Sequence, residues 1–179
     1  MIINIIIIAA VLVIAFLIFV ASRPSDFRIT RSLSIAAPAE TVFPHVNNLQ
    51  KWDAWSPWAK LDPDAKRTFQ GPAEGPGAEF KWAGNKKIGE GQMMIIASRP
   101  AEFIRIRLEF FKPFKATNLA EFEFKAENNR TTVIWSMTGM YNFFSKIFGL
   151  FVNMDKMIGG DFEKGLASLK SVAETGSGK

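Results

Sequence analysis

The stretch NLAEFEFKAENNRTTVIWSMTG, residues 118–139, decides the fold, because two runs of alternating apolar and polar residues flank a turn. Asn128-Asn129 is a two-residue signal of the kind that closes β-hairpins. An antiparallel hairpin about this turn brings apolar side chains together on one face, pairing Phe124 with Val133, Phe122 with Trp135 and Ala120 with Met137. Glutamates occupy the other face, so the sequence predicts an antiparallel sheet with one buried and one solvated face.

The same alternation continues on both sides of this hairpin. It predicts strands over 27–35, 66–70, 77–83, 87–98, 101–111, 115–127 and 130–141. Three further turns, at 85–86, 99–100 and 112–115, predict the remaining cross-strand pairs. The first pairs Trp82 with Gly89 and Phe80 with Gly91. The second pairs Ile95 with Ile104, Met93 with Ile106, Gly91 with Leu108 and Gly89 with Phe110, and the third pairs Ile106 with Phe122, Leu108 with Ala120, Phe110 with Asn118, Arg105 with Glu123 and Arg107 with Glu121.

After the last strand the apolar period changes from two residues to three or four. This stripe is typical of one face of an amphipathic helix and comprises Ile147, Phe151, Met154, Ile158, Phe162, Leu166, Leu169 and Ala173. Glycines are poor helix formers, so a bend is expected at Gly159-Gly160. A sheet of about seven strands wrapped on a long C-terminal helix is an α+β helix-grip fold.

The N-terminal segment differs from the rest of the chain, because Ile2 to Val20 is apolar apart from Asn4. About 20 apolar helical residues span the hydrocarbon core of a bilayer. A cleaved signal peptide is the alternative, but it would have a basic start and a shorter apolar run. The sequence predicts a transmembrane anchor over 1–21, a linker over 22–26, a domain over 27–175 and a flexible tail over 176–179.

Charge and composition limit the location, partners and cofactors that the sequence predicts. Arg23, Arg28 and Arg31 follow the apolar run, which predicts a single-pass protein of the cell inner membrane with its soluble domain in the cytoplasm. The net charge of +5 is scattered rather than gathered in a stripe, so no nucleic-acid partner is expected. The chain has no cysteine and only His45 as histidine, so neither a metal nor a cofactor is predicted. Nothing in the sequence names a protein partner.

Three segments carry a resemblance to a known family. They are NNLQKWDAWSPW at 47–58, LEFFKPFKATN at 108–118 and DFEKGLASLK at 161–170. Together with the order of elements, they resemble the START-like superfamily, also called SRPBCC, and in particular its bacterial polyketide cyclase/dehydrase-type members. The resemblance covers Arg28 to Val172 and implies a helix-grip fold around an apolar cavity. The superfamily includes lipid carriers, hormone receptors and cyclases, so the resemblance leaves the function open.

The candidate site follows from the small residues of the buried face. Gly89, Gly91, Ala120 and Gly139 lie toward one end of the sheet, where they leave a hollow or relieve strand curvature under large aromatics. Trp52 and Trp55 are expected to pack against this end. The predicted ligand-binding residues are Trp55, Phe80, Trp82, Leu108, Phe110, Asn118, Met137, Phe151 and Met154.

Few polar groups accompany these apolar side chains. Asn118 faces inward and is a weak candidate for a catalytic residue. Arg31 interrupts the apolar face of the first strand, so it requires a carboxylate partner, a solvated edge or an anionic ligand. Asp155 is expected to face solvent. No catalytic residue other than the weak candidate Asn118 is therefore named.

Three functions are compatible with this pattern. The favoured one is a membrane-tethered domain that binds an apolar small molecule or lipid between the sheet and the last helix. An alternative is an enzyme of the cyclase, dehydratase or isomerase type that uses the same pocket. A further alternative is a non-catalytic protein-interaction domain at the membrane.

Overall fold

The computed structural model describes residues 2–176 and shows an α+β helix-grip fold. Seven antiparallel strands form one sheet in the order β1-β7-β6-β5-β4-β3-β2. The strands are β1 (Asp26–Ile35), β2 (Lys66–Gln70), β3 (Glu79–Ala83), β4 (Glu90–Arg99), β5 (Phe103–Lys112), β6 (Ala116–Glu127) and β7 (Arg130–Met140). The helices are α1 (Ile2–Ser22), α2 (Ala39–Asn47), a 3-10 helix (Leu49–Ala54), α3 (Phe143–Phe148) and α4 (Met154–Gly176).

The β6–β7 hairpin has the predicted register. Phe124 lies opposite Val133, Phe122 opposite Trp135 and Ala120 opposite Met137. Asn128 adopts a left-handed conformation, with φ of 55°, which asparagine tolerates better than most residues. The local turn signal was therefore sufficient to predict this hairpin.

The other hairpin registers were wrong by two residues. Trp82 lies opposite Gly91 and Phe80 opposite Met93, because the β3–β4 loop extends to Gly89, whose carbonyl accepts the Gly84 N–H. The pairing of β4 with β5 contains a bulge near Ile95, and residues 100–102 form the loop between the two strands. The observed pairs across β4, β5 and β6 are Ile95 with Ile106, Met93 with Leu108, Gly91 with Phe110, Ile104 with Phe122, Ile106 with Ala120, Leu108 with Asn118, Phe110 with Ala116, Arg105 with Glu121 and Arg107 with Leu119.

These errors share one physical cause. A shift by two residues leaves every side chain on its own face, so the apolar pattern cannot distinguish the two registers. On the outer face, the predicted partner of Arg105 was Glu123, whereas its guanidinium is 2.7 Å from a carboxylate oxygen of Glu121. In these three hairpins the predicted assignment of side chains to faces is confirmed, but the predicted cross-strand pairs are wrong.

The C-terminal region consists of two helices rather than one. α3 ends at Phe148 and is followed by Gly149, and α4 begins after Asn153, whose side chain accepts the Lys156 N–H at 2.9 Å. Such a cap starts a new helix. The predicted stripe was therefore wrong in placing Ile147 and Phe151 on the long helix. α4 also continues without interruption through Gly159-Gly160, where a bend was predicted.

The hydrophobic core lies between α2, the 3-10 helix, α4 and the half of the sheet nearest the β6–β7 turn. Trp135 stacks on Phe162 of α4 with ring centroids 4.0 Å apart. The buried apolar stripe of α4 comprises Phe162, Leu166, Leu169 and Ala173. This half of the inner face is filled by the protein itself.

α1 is long and apolar enough to cross a membrane, and it is the one such helix among residues 2–176. A signal sequence would pass the same test of length and composition. α1 ends at Ser22, and β1 begins at Asp26. Of the predicted tail, Gly176 is the last residue of α4, and 177–179 lie outside the described residues.

Candidate ligand-binding site

The inner face of the sheet has two ends, which we call the closed end and the open end. The closed end is the core around Phe122 and Trp135. The open end is the opposite part of the same face, where large apolar side chains stay half-buried. They are Phe27, Phe80, Trp82, Leu108 and Phe110. α4 packs mainly against β1, so it leaves the open end of β3 to β5 largely uncovered.

A continuous row of residues crosses the sheet at the open end. Successive pairings from β2 to β1 align one inward residue from each strand. In order, these are Phe69, Phe80, Met93, Leu108, Asn118, Gly139 and Phe27. Trp82, Gly91 and Phe110 form part of the adjacent row nearer the strand ends. Asn118 is the only polar residue in the row across the sheet.

Aromatic rings cover the β2–β5 part of this surface. The ring of Phe80 stacks on Phe69 at 4.9 Å and on Trp82 at 5.9 Å, measured between centroids. Trp82 meets Phe110 edge to face at 5.8 Å, and its indole N–H donates to the Ile88 carbonyl at 3.0 Å. These contacts form an apolar floor whose rings support one another.

Asn118 is the polar exception on this floor. Its side chain is buried, with 7% of its surface exposed, and its Oδ1 atom has no hydrogen-bond partner. The amide Nδ2 lies 3.9 Å from the sulfur of Met137. A buried carbonyl oxygen without a donor is energetically costly. The oxygen is itself buried and faces Gly139, so it accepts a hydrogen bond from a ligand hydroxyl or amine only when the Asn118 side chain turns toward the floor.

The small residues do not leave the predicted hollow. A side chain at Gly91 would collide with the Trp82 ring, and one at Gly139 would collide with the Asn118 amide. Gly89 lies in the β3–β4 loop with φ of 63°, a conformation that favours glycine. These glycines make room for large neighbours, so the candidate site is the half-buried apolar surface of the open end, which we call the groove, rather than an empty space beneath the sheet.

Sequence comparison identifies the family. The model described as "Polyketide cyclase / dehydrase and lipid transport" matches residues 26–174. The chain belongs to this family. No curated protein matches the chain.

Solved structures share the family's START-like fold. A protein from Thermobifida fusca is 21% identical, with a TM-score of 0.62 over 82% of this chain and 92% of that chain. A protein from Chromobacterium violaceum is 12% identical, with a TM-score of 0.59 over 85% of this chain and 99% of that chain. The Aha1 dimer from Colwellia psychrerythraea is 17% identical, with a TM-score of 0.57 over 85% of this chain and 99% of that chain.

Most of the predicted site residues of this family member lie together on the inner face. Those that reach the open end or its border are Phe80, Trp82, Leu108, Phe110, Asn118 and Met137. Phe151 is 81% exposed in the loop between α3 and α4, and Met154 is the half-buried first residue of α4. Neither belongs to the floor of the groove.

Trp55 lies at the closed end, opposite to the expected placement. Its indole N–H donates to the His45 carbonyl, and that of Trp52 donates to the Val46 carbonyl, each at 2.9 Å. These bonds fold the tryptophan segment back on α2. Both rings therefore contact Phe122 and Trp135 in the core instead of Gly91.

Sequence reasoning missed some residues of the row. Phe69 was placed on a strand, but its pairing with Phe80 was not considered, although Phe69 is the one aromatic residue of β2 and is flanked by Thr68 and Gln70 on the other face. Phe27 stacks on Tyr141 at 4.7 Å. Burial, and secondarily the Asp155 charge, raise the pKa of the Tyr141 phenol, which keeps this group neutral at the border of the groove.

Arg31 has carboxylate partners, which confirms one of the predicted explanations for it. Its guanidinium lies 3.0 Å from Asp155 and 2.7 Å from Glu163, both on α4. The hydrogen bond with Arg31 lowers the pKa of Asp155, and the bonds to Asp155 and then Glu163 raise the pKa of Arg31. Asp155 is exposed as predicted, but it joins α4 to β1.

His45 lies on α2, whose apolar residues pack in the core at the closed end. Burial, and secondarily the charge of Lys51, lower the pKa of His45. Among residues 2–176, no group of three or more His, Asp or Glu is placed to hold a metal ion. Two surface depressions lie away from the groove, one beside Arg105 and Glu121 and the other beside Arg67, and charged residues form much of both linings.

Proposed function

We propose that this protein is a membrane-tethered domain that binds an apolar small molecule or lipid along the open end of its sheet. The observation that carries the proposal is the unpartnered Oδ1 of Asn118 in the middle of an otherwise apolar row. A ligand with one hydroxyl or amine and a long apolar part matches this pattern. The family description, which includes lipid transport, supports the same conclusion.

The energetics favour such a ligand. Removing apolar surface from water contributes roughly 25 cal/mol per Å², or about 0.8 kcal/mol for each methylene group. An unsatisfied buried acceptor costs about 1–3 kcal/mol, which a donor on the ligand would recover. The aromatic floor therefore supplies affinity, and Asn118 selects the orientation of the bound molecule.

Membrane tethering rests on α1, whose 21 residues are apolar enough to span a bilayer. Arg23 and Arg28 follow this helix directly, which favours a cytoplasmic location for the folded domain. We propose a single-pass protein of the inner membrane. A domain held at that surface meets lipids and apolar metabolites at a high local concentration.

Binding accounts for the groove better than catalysis does. The row across the sheet contains no carboxylate, histidine or lysine that could transfer a proton. A cyclase or dehydratase would have to rely on the Asn118 amide and on the Tyr141 phenol at the border. The binding proposal requires neither group to react.

The full-length protein, purified in detergent micelles, should retain its ligand through organic extraction and mass spectrometry. In an Asn118→Leu variant, we expect the recovered ligand to fall about tenfold, which corresponds to the loss of one hydrogen bond of about 1.4 kcal/mol. Stability should not fall, because leucine removes an unsatisfied polar atom. The matched control is Thr117→Leu, an exposed neighbour on the other face of β6.

Two results would contradict the proposal. The first is the absence of any co-purified apolar molecule together with unchanged melting across a panel of fatty acids, acylglycerols and polyprenols. The second is equal ligand recovery from the Asn118→Leu variant and its control. Turnover of a recovered molecule that depends on Tyr141 would favour the enzymatic alternative.

A further inference from the structure

The open end of the sheet is also the end at which α1 joins the domain. α1 ends at Ser22, and β1 begins at Asp26, which pairs with Met140 at the end of β7. Strand order places the start of β6 and the end of β5 at this same end, since Phe27, Gly139, Asn118 and Leu108 lie in one row. The β5–β6 loop, the β3–β4 loop and α3 therefore share this end with the anchor.

Large apolar side chains are exposed on these segments. Phe114 in the β5–β6 loop is 67% exposed, and Phe144 on α3 is 73% exposed. Other exposed apolar residues are Phe111 at the end of β5, Met140 at the end of β7, Phe148 on α3 and Phe151 in the loop after α3. Exposed apolar residues scattered singly are ordinary, but a group on neighbouring segments indicates an interaction surface.

α3 is attached directly to the end of α1. The Lys146 ammonium donates to the Ala21 carbonyl at 3.2 Å and to the Arg23 carbonyl at 2.7 Å. Val20 is buried, and α1 contacts α3. These contacts place α3 within one side-chain length of the last turn of the apolar helix, which is the depth of a bilayer interface if α1 spans the membrane.

The loops at this end are also basic. Lys86 and Lys87 lie in the β3–β4 loop, and Lys112 and Lys115 flank the β5–β6 loop. The acidic residues at this end are Asp26, Asp62, Asp64 and Glu90. Glu90 is paired with Lys112 at 2.7 Å, whereas Lys86, Lys87 and Lys115 form no ion pair with the described residues. Apolar side chains surrounded by lysines match the chemistry of an anionic lipid surface.

We propose that this end of the domain docks on the anionic bilayer that holds α1, with Phe114 and the exposed face of α3 inserted at the boundary between headgroups and acyl chains. The inference rests on the membrane anchoring proposed above and adds the orientation of the domain. In this orientation the open end of the groove faces the bilayer. A lipid can then move between the membrane and the groove without crossing water.

Spin labels can measure this depth in the full-length chain, because the protein has no cysteine of its own. The variants Phe114→Cys and Phe144→Cys probe the docking surface. Glu102→Cys and Glu127→Cys are matched controls at exposed positions of the opposite end. Leu12→Cys reports on α1 itself. Each labelled protein is placed at one copy per nanodisc of phosphatidylglycerol and phosphatidylcholine.

We expect labels at Phe114 and Phe144 to lie about 5–10 Å below the headgroup surface. The control labels should be in water, and the Leu12 label should be in the acyl core. Discs of phosphatidylcholine alone should make the two docking labels more accessible to water. These results would support the proposal.

The proposal is overturned if the labels at Phe114 and Phe144 are as accessible to water as the Glu102 label. In that case a Leu12 label deep in the acyl core would show that α1 still spans the membrane. A Leu12 label in water would mean that the anchoring itself is wrong. Protection of the docking labels only in discs with two copies would assign the surface to a second chain, which also overturns the proposal.

Discussion

Gly159 and Gly160 are adjacent in α4 but have different surroundings. A side chain at Gly159 would collide with the Arg31 guanidinium, which lies across the helix to reach Asp155 and Glu163. A side chain at Gly160 would meet no atom within 4 Å. The sequence predicted a bend at these two glycines, but the structure shows that Gly159 leaves space for the guanidinium of Arg31 against the helix.

This contrast predicts opposite effects on stability. Gly160→Ala should raise the free energy of unfolding by about 0.5–1 kcal/mol, as is usual within a helix. Gly159→Ala should lower it, because Arg31 must leave both carboxylates. Urea denaturation of the full-length protein in detergent, followed by tryptophan fluorescence, measures both changes. An equal gain in the two variants would show that Arg31 does not depend on the space at Gly159.

At the scale of elements, the segment 49–58 is a core element and not part of the groove. The rings of Trp52 and Trp55 pack against each other at 4.5 Å, and Trp58 contacts Trp135 and Phe162. Their spacing along the chain indicated packing on one side. It could not indicate which end of the sheet they cover, because that depends on how the segment folds back on α2.

Substitutions of two tryptophans, one in the core and one in the groove, should affect stability and ligand binding differently. Trp55→Ala should lower the free energy of unfolding by about 3–5 kcal/mol, since Trp55 is only 2% exposed. Trp82→Ala should cost about 1–2 kcal/mol, because its ring is half-buried, but it should reduce the amount of co-purified ligand. Denaturation and ligand extraction on the same samples measure both properties. Normal ligand recovery from Trp82→Ala would remove this ring from the proposed site.

At the scale of the whole molecule, the central question is whether α1 anchors the domain in a membrane and on which side the domain then lies. We expect the membrane fraction to contain the uncleaved chain of 20.0 kDa. In a bacterial host, a C-terminal green fluorescent protein should fluoresce and a C-terminal alkaline phosphatase should be inactive. The control is the same phosphatase fusion behind a cleavable signal peptide. A shortened chain with active phosphatase would identify α1 as a signal sequence.

The sequence alone determined the positions of the strands, the faces of the strands and the fold class. These depend on local periodicity, on a strong turn signal at Asn128-Asn129 and on the uniformly apolar run of α1. The same pattern brought Asn118 and Leu108 to the inner face. The pairing of Arg31 with acidic residues was among the sequence-based interpretations, since an arginine on an apolar face requires partners.

Only the tertiary structure decided the registers, the division of the C-terminal region and the shape of the site. Registers that differ by two residues have identical patterns, so loop geometry decided that Trp82 lies over Gly91. The contact of Lys146 with the end of α1 joins residues separated by 125 positions. Such contacts depend on how the chain closes in space, and local periodicity carries no information about them.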